Sequence, residues 1–444
     1  MNLVYNVEDR PKFGQMIVFA LQQVLAILAA TIAVPMIISG SYPAGEVAMS
    51  PAAALFGAGI GTLVYVLFTK GKSPVFLGSS FAFLGSMAAA FSGALSVAGG
   101  FLGIIIGAAL AALAYVVIAI IVKFAGAGWV NKIMPAQVIG PTVAIIGLSL
   151  AGNAVGDLQT CDAGGSVYVA LICGLITLVV VCLCSVYGKK MGKLIPFIIG
   201  ICAGYVVALI FTLIGNASGN DALKVIDFSI FAGIKVFEIP KFSFLQAVHG
   251  FTDINGSYIV SLIAAYVPVA LVVFAEHIAD HKNISSIIGR DLLEEPGLHR
   301  TLLGDGVGSF AGAIFGGCPN TTYGESIACV AITGNASVAT IVTTAILCLL
   351  ISFFGPFVTF LDSIPACVMG GVCMSLYGFI AVSGLKMVQK VDLNDNRNLF
   401  VVSVILIAGI GGLALNFGSV TITEIATALI LGILFNVMLG GNKG

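Results

Sequence analysis

The chain has 444 residues, of which 59% are hydrophobic and 9% charged, with a formal net charge of -1. With a mean hydropathy of +1.12, it cannot be a water-soluble globule, and the absence of any basic run excludes a nucleic-acid partner. One membrane crossing takes about 20 residues of helix, so the composition implies an all-α polytopic protein with the lipid bilayer as its first partner.

Ahead of the first apolar run, Glu8, Asp9, Arg10 and Pro11 stand where a cleaved signal would be basic, so the first helix is expected to be retained. A hydropathy window of about 19 residues then divides the chain into fourteen segments. Seven lie near 14–39, 50–69, 75–95, 98–122, 133–152, 165–187 and 194–215. The other seven lie near 256–280, 300–316, 320–334, 336–359, 365–385, 398–416 and 421–440. Between the halves 1–215 and 256–444 runs a polar connector, 216–255, with Asp221, Lys224, Asp227, Lys235, Glu238 and Lys241.

Charge placement supports an even number of crossings with both termini cytoplasmic. Arg10, Lys12, Lys70, Lys72, Lys123, Lys132, Lys189, Lys190, Lys193, Lys282, Arg290, Arg300, Lys386, Lys390, Arg397 and Lys443 then share one face. Only Lys224, Lys235 and Lys241, all in the long connector where the rule is weakest, fall opposite. Cys173, Cys182, Cys184, Cys202, Cys329, Cys348, Cys367 and Cys373 sit inside apolar runs and read as small packing residues, and Cys161 has no evident partner outside the lipid. No CxxC spacing with histidines suggests zinc, and no cofactor is expected.

The third and tenth segments break the pattern. One opens Ser73-Pro74-Val75-Phe76-Leu77-Gly78-Ser79-Ser80-Phe81-Ala82-Phe83, the other Gly316-Gly317-Cys318-Pro319-Asn320-Thr321-Thr322-Tyr323-Gly324-Glu325. Glycine, proline, hydroxyl, β-branched and aromatic residues together predict an extended stretch followed by a helix start. Extended backbone at membrane depth is tolerated only where protein or a cavity satisfies it, and matched interruptions in two halves point to a transporter site. Two hairpins with polar tips are the plainer alternative.

Glu276 follows the apolar run Tyr266 to Ala275. An acidic group at the bilayer centre costs about 3 kcal/mol on insertion scales, so one found there is a candidate for holding a solute or exchanging a proton. It also has an ordinary reading, as the start of a solvated helix end. Asp280 lies at i+4 on the same face, whereas His281, at i+5, does not. His277 and His281 are four apart but lack the glutamate spacing of HExxH, so no metal site is expected.

Glu276-His277, Gly289-Arg290-Asp291-Leu292-Leu293-Glu294-Glu295-Pro296-Gly297-Leu298-His299-Arg300 and Pro319-Asn320-Thr321-Thr322-Tyr323-Gly324-Glu325 occur in that order. With Leu77-Gly78-Ser79-Ser80-Phe81-Ala82-Phe83 they resemble the uracil permeases within the nucleobase-ascorbate transporter family, also called nucleobase:cation symporter-2, over nearly the whole chain. The resemblance implies two inverted seven-segment repeats. Segments 1–4 and 8–11 would form a core domain, and segments 5–7 and 12–14 a gate domain that supports a homodimer. It implies proton-coupled uptake of uracil by alternating access. Glu276 and Glu325 would hold the base, Phe81 and Gly324 would contact it through backbone groups, and Ala30 and Tyr323 would lie nearby.

Three departures from the family pattern stand out. Asp280 occupies the place of a histidine, with His281 one position later, so Glu276, Asp280 and His281 are all candidates for proton coupling. Gln22-Gln23 replaces a Gln-His pair. Ser326 and Ala328 stand where asparagine and glycine are commoner. A xanthine, urate or other nucleobase, or another coupling ion, therefore remains an alternative, and a channel or an intramembrane metalloenzyme are more distant ones. Asp305 and Glu424 are further acids near segments with no assigned role.

Overall fold

The computed structural model describes residues 3–42, 46–126, 128–189, 191–417 and 420–441, so Lys190 and Lys443 from the charge assignment lie outside the described residues. In the first half, helices α1 (Phe13–Gly40), α2 (Pro51–Phe68), α3 (Leu84–Gly93), α4 (Val97–Ala125), α5 (Ala136–Leu158), α6 (Val167–Tyr187) and α7 (Pro196–Ser218) follow one another. The second half holds α8 (Gly256–Ile288), α9 (Leu298–Gly316), α10 (Gly324–Thr333), α11 (Val338–Ile351), α12 (Ala366–Val388), α13 (Asn396–Ile410) and α14 (Glu424–Met438). Among the described residues, eight helices are long and apolar enough to cross a membrane: α1, α2, α4 to α8 and α12. The connector holds only short 3-10 turns and the five-residue helix Ser243–Ala247.

Helix ends follow local chemistry. Ser50, Ser96 and Asn255 accept hydrogen bonds from first-turn amides of α2, α4 and α8, and left-handed Gly289, Gly317 and Gly334 terminate α8, α9 and α10.

α3 and α10 have ten residues each, about 15 Å of helix, or half the roughly 30 Å hydrocarbon thickness. A short strand precedes each. β1 (Leu77–Ser79) precedes α3 through the 3-10 turn Phe81–Phe83, β2 (Asn320–Thr322) precedes α10, and the two pair antiparallel with Gly78 opposite Thr321. The extended openings expected of these segments therefore satisfy each other across more than two hundred residues. Thr62 of α2 covers the edge of β1, its hydroxyl accepting from Leu77 N at 2.9 Å and donating to Leu77 O at 3.2 Å. Ser326 Oγ accepts from Phe76 N at 3.2 Å and from the amide of Gln23. With these partners an irregular backbone is tenable in a dry interior.

The helices pack in two groups. α2, α4, α9 and α11 interlock with α1, α3 and α8; α5, α6, α7 and α12 pack together with α13 and α14. Between the groups, α8 meets α5 and α14, and α1 meets α7 and α12. One close approach joins α2 to α9. A Cβ on Gly57 would lie 2.6 Å from Gly312 O, and one on Gly312 would lie 2.3 Å from the Asn320 amide, which donates to Gly57 O at 3.0 Å. Small residues let these backbones touch and let one asparagine tie β2 to both helices. Gly312→Leu is expected to separate α2 from α9 and to cost about 3 kcal/mol through overpacking. Thermal gel-filtration assays in detergent check this, and an unchanged melting profile would count against it.

One face carries Arg290 paired with Glu8 through two hydrogen bonds, one of 3.0 Å, and Lys72 paired with Glu295. Val4 and Tyr5 donate to Gly334 O there. The N-terminal segment and the connections α2–α3, α8–α9 and α10–α11 thus share one end of the molecule. Arg290 beside Glu8 holds that carboxyl below the ordinary carboxylate range. The pair's contribution is therefore present above the ordinary carboxylate pKa and lost as pH falls through the depressed one. Exposed as it is, it is worth under about 1 kcal/mol.

Candidate functional site

The antiparallel register sets the site. α3 starts beyond the Ser79–Asn320 end of the ribbon and α10 beyond the Leu77–Thr322 end. The two helix N-termini therefore lie at opposite ends of the ribbon, separated by about 7 Å of strand. Their first-turn N–H groups lack intrahelical partners, and the helix dipoles favour electron-rich groups there.

α8 runs beside this ribbon, packed on the Phe81–Phe83 turn, β2 and α10. Its helical period places Glu276 and Asp280 on the face toward the ribbon, both half-buried, and His277 and His281 on a fully buried face. Thr322 Oγ1 of β2 donates to Asp280 Oδ2 at 2.7 Å. Glu276 lies within electrostatic reach of Asp280, Asp305 and Glu325. Glu325, in the first turn of α10, turns its carboxyl against its own backbone amide and is half-buried.

Gly324 is exposed, although Thr322 and Tyr323 just before it are both buried. A Cβ built on it meets nothing within 4 Å, which marks an open recess at the start of α10. Tyr323 forms the wall behind, its hydroxyl donating to Ser79 O at 2.8 Å and lying beside Thr31. Ala30 is buried next to that threonine on α1. Phe81 is 7% exposed and meets Tyr377 of α12 edge-on at 5.6 Å, so the recess lies where the two helix groups face each other.

Glu276, Asp280, Glu325, Gly324, Phe81 and Tyr323 thus gather around one ribbon. His281 is directed elsewhere: its Nε2 lies 2.7 Å from Tyr65 Oη of α2. Asp305 proves to be the buried partner of His277, at 2.8 Å. Glu424 stands in the first turn of α14, where a carboxylate suits the helix dipole. Thr322, Tyr377 and Tyr65 carried no local signal of a role. Thr322 was adjacent to the expected site, but only strand pairing turns its hydroxyl to α8.

Chemically, carboxyl oxygens as acceptors, helix N-terminal amides as donors and aromatic rings all lie around this ribbon. This set matches a flat heterocycle with alternating N–H and C=O groups on its edge.

A profile of the permease family matches residues 14–417. The uracil permease of Bacillus caldolyticus is 40% identical over 441 residues, covering 99% of this chain and 95% of that protein. The uracil permease of Bacillus subtilis strain 168 is 36% identical over 98% of this chain and 94% of its own. Among solved structures, the transmembrane domain of a cyanobacterium bicarbonate transporter, BicA, superposes with a TM-score of 0.63 at 13% identity, over 97% of this chain and 100% of that one. That likeness is one of fold alone.

Proposed function

This chain belongs to the permease family, and from that premise we propose that it carries uracil inward across the cytoplasmic membrane by proton-coupled alternating access. It is a multi-pass membrane transporter, not an enzyme. The observation that carries the reading of the solute is the gathering of Glu276 and Glu325 around the open start of α10. Their carboxyl oxygens accept from the two ring N–H groups of uracil, Glu276 through its carbonyl oxygen when it carries the coupled proton, while amides at Gly324 and Phe81 donate to its carbonyls. Phe81 and Tyr323 face the ring, with Ala30 behind. A site of this kind rejects solutes that leave its polar groups unpaired.

In this reading α1 to α14 are fourteen crossings, arranged as two inverted repeats, 1–215 and 256–444, around the connector 216–255. The strand-then-helix openings at the third and tenth places support the repeat. The two packing groups support a core of segments 1–4 and 8–11 and a gate of segments 5–7 and 12–14. We assign the homodimer contact to the gate and both termini to the cytoplasm, in line with the charge distribution and the shared face of Glu8, Lys72 and Arg290.

Protons load Glu276 or Asp280 from outside, uracil binds, and the core moves against the gate. His281 supports the turn that carries them. A panel of labelled free bases in proteoliposomes tests solute and ion together. Saturable uracil uptake is expected to rise at acidic external pH and to collapse with a protonophore, and Asp280→Asn is expected to flatten that pH response. Preferential uptake of a purine would replace the solute, and dependence on sodium alone would reject proton coupling.

A further inference from the structure

His277 is fully buried, and both ring nitrogens are engaged: Nε2 lies 3.0 Å from Thr301 Oγ1, and Nδ1 lies 2.8 Å from Asp305 Oδ2. The Thr301 hydroxyl has one proton, which it donates to Leu298 O at 3.1 Å. With its proton on that carbonyl, Thr301 Oγ1 accepts from His277, which places a proton on Nε2. A neutral imidazole protonated there has a bare lone pair at Nδ1, and that lone pair repels a carboxylate oxygen at 2.8 Å. The contact is attractive only with one further proton between Nδ1 and Oδ2. Asp305 Oδ1 is buried without a hydrogen-bond partner among the described residues, which suits the carbonyl oxygen of an uncharged acid better than half of an anion.

His281 Nδ1 donates to His277 O at 2.8 Å, and its Nε2 lies 2.7 Å from Tyr65 Oη, which is itself 2.7 Å from Ser73 Oγ. Full burial beside tyrosine and serine rather than a carboxylate favours the neutral ring, in which Nε2 accepts from Tyr65. It stacks on His277 at 3.9 Å.

We propose that His277 and Asp305 hold one resident proton between Nδ1 and Oδ2 and keep it throughout transport, as a neutral clamp that fixes the Glu276 turn of α8 against α9. Groups around the pair oppose loss of that proton. Glu276 and Asp280 on α8 are acids whose charges would repel an anionic Asp305, and Glu325 on α10 adds negative charge beside those two. His281 on α8, Tyr65 on α2 and Tyr115 on α4 supply no fixed positive charge to compensate. The pair is a positioning element for Glu276, and only this consequence for transport rests on the reading of Glu276 as a solute ligand.

Asp305→Asn replaces the shared proton with an amide N–H aimed at Nδ1. It is expected to keep uptake within about threefold of the parent with an unshifted pH profile, whereas Asp305→Ala, which leaves Nδ1 unpaired, loses at least about tenfold. A folded Asp305→Asn protein that is inactive, or whose pH profile moves by about a unit or more, overturns the proposal. Nitrogen NMR of histidine-labelled parent protein tests the proton without any variant or solute. The His277 Nδ1 signal is expected to stay constant from about pH 5 to 9, and titration inside that window overturns the resident proton. A constant signal with full activity in Asp305→Ala overturns the positioning role instead.

Discussion

Glu325→Ala is expected to lower uracil uptake by at least about 100-fold while leaving the protein inserted and monodisperse. The carboxyl sits in the first turn of α10 beside an open recess, and the helix does not depend on it for packing. Its removal leaves a ring N–H of the solute facing a site with no acceptor. An unpaired polar group in a desolvated site costs about 1 to 3 kcal/mol, and more where the lost bond was to a charge. Glu325→Gln keeps an acceptor oxygen without the charge, so it is expected to lose less, about tenfold. Uptake in proteoliposomes, normalised to protein recovered by gel filtration, checks both. Unchanged transport by Glu325→Ala would sink the assignment of this residue as a solute ligand.

Gly78→Val is expected to abolish most transport by a different route. A Cβ at position 78 would lie 2.3 Å from Tyr323 Cε2 and Cζ, and 2.8 Å from its hydroxyl oxygen. No rotation of the added side chain relieves that overlap, because it begins at Cβ itself. Tyr323 immediately precedes α10 and its hydroxyl donates to Ser79 O, so a displaced ring carries the start of α10 with it. Gly324 and Glu325 then leave their places, and an error of about 1 Å in a positioned group is enough for a hundredfold loss. The contact between α2 and α9 is untouched, so insertion is expected to persist. Gly324→Ala is a useful contrast, since its Cβ meets nothing within 4 Å. It is expected to fold normally and to affect only solute binding. Normal uptake by Gly78→Val would mean that the Tyr323 wall does not set the site.

Much of the candidate site was legible in the chain because the signals were local. The prolines, glycines and hydroxyls around Val75 and Asn320 disfavour a helix wherever they occur, and the strands stand there. Glu276 and Glu325 were conspicuous against their apolar neighbours, and the i, i+4 spacing put Asp280 beside Glu276.

Other features had no local signature. Periodicity says which residues share a face of α8 but not what each face meets. His281, grouped with the acids by proximity in sequence, is turned to Tyr65, and His277 meets Asp305 across a helix boundary. Thr322 reaches Asp280 only because β2 pairs with a strand from the other half of the chain.

Membrane residence, the two broken segments and the pair of isolated acids were determined by the sequence alone, because hydropathy, backbone propensity and charge are properties of residues and their near neighbours. The tertiary structure decided which strand pairs with which, which carboxyls lie near one another and which histidine receives a buried acid. Those contacts join residues far apart in the chain, and their geometry depends on how whole helices pack, which no local pattern encodes.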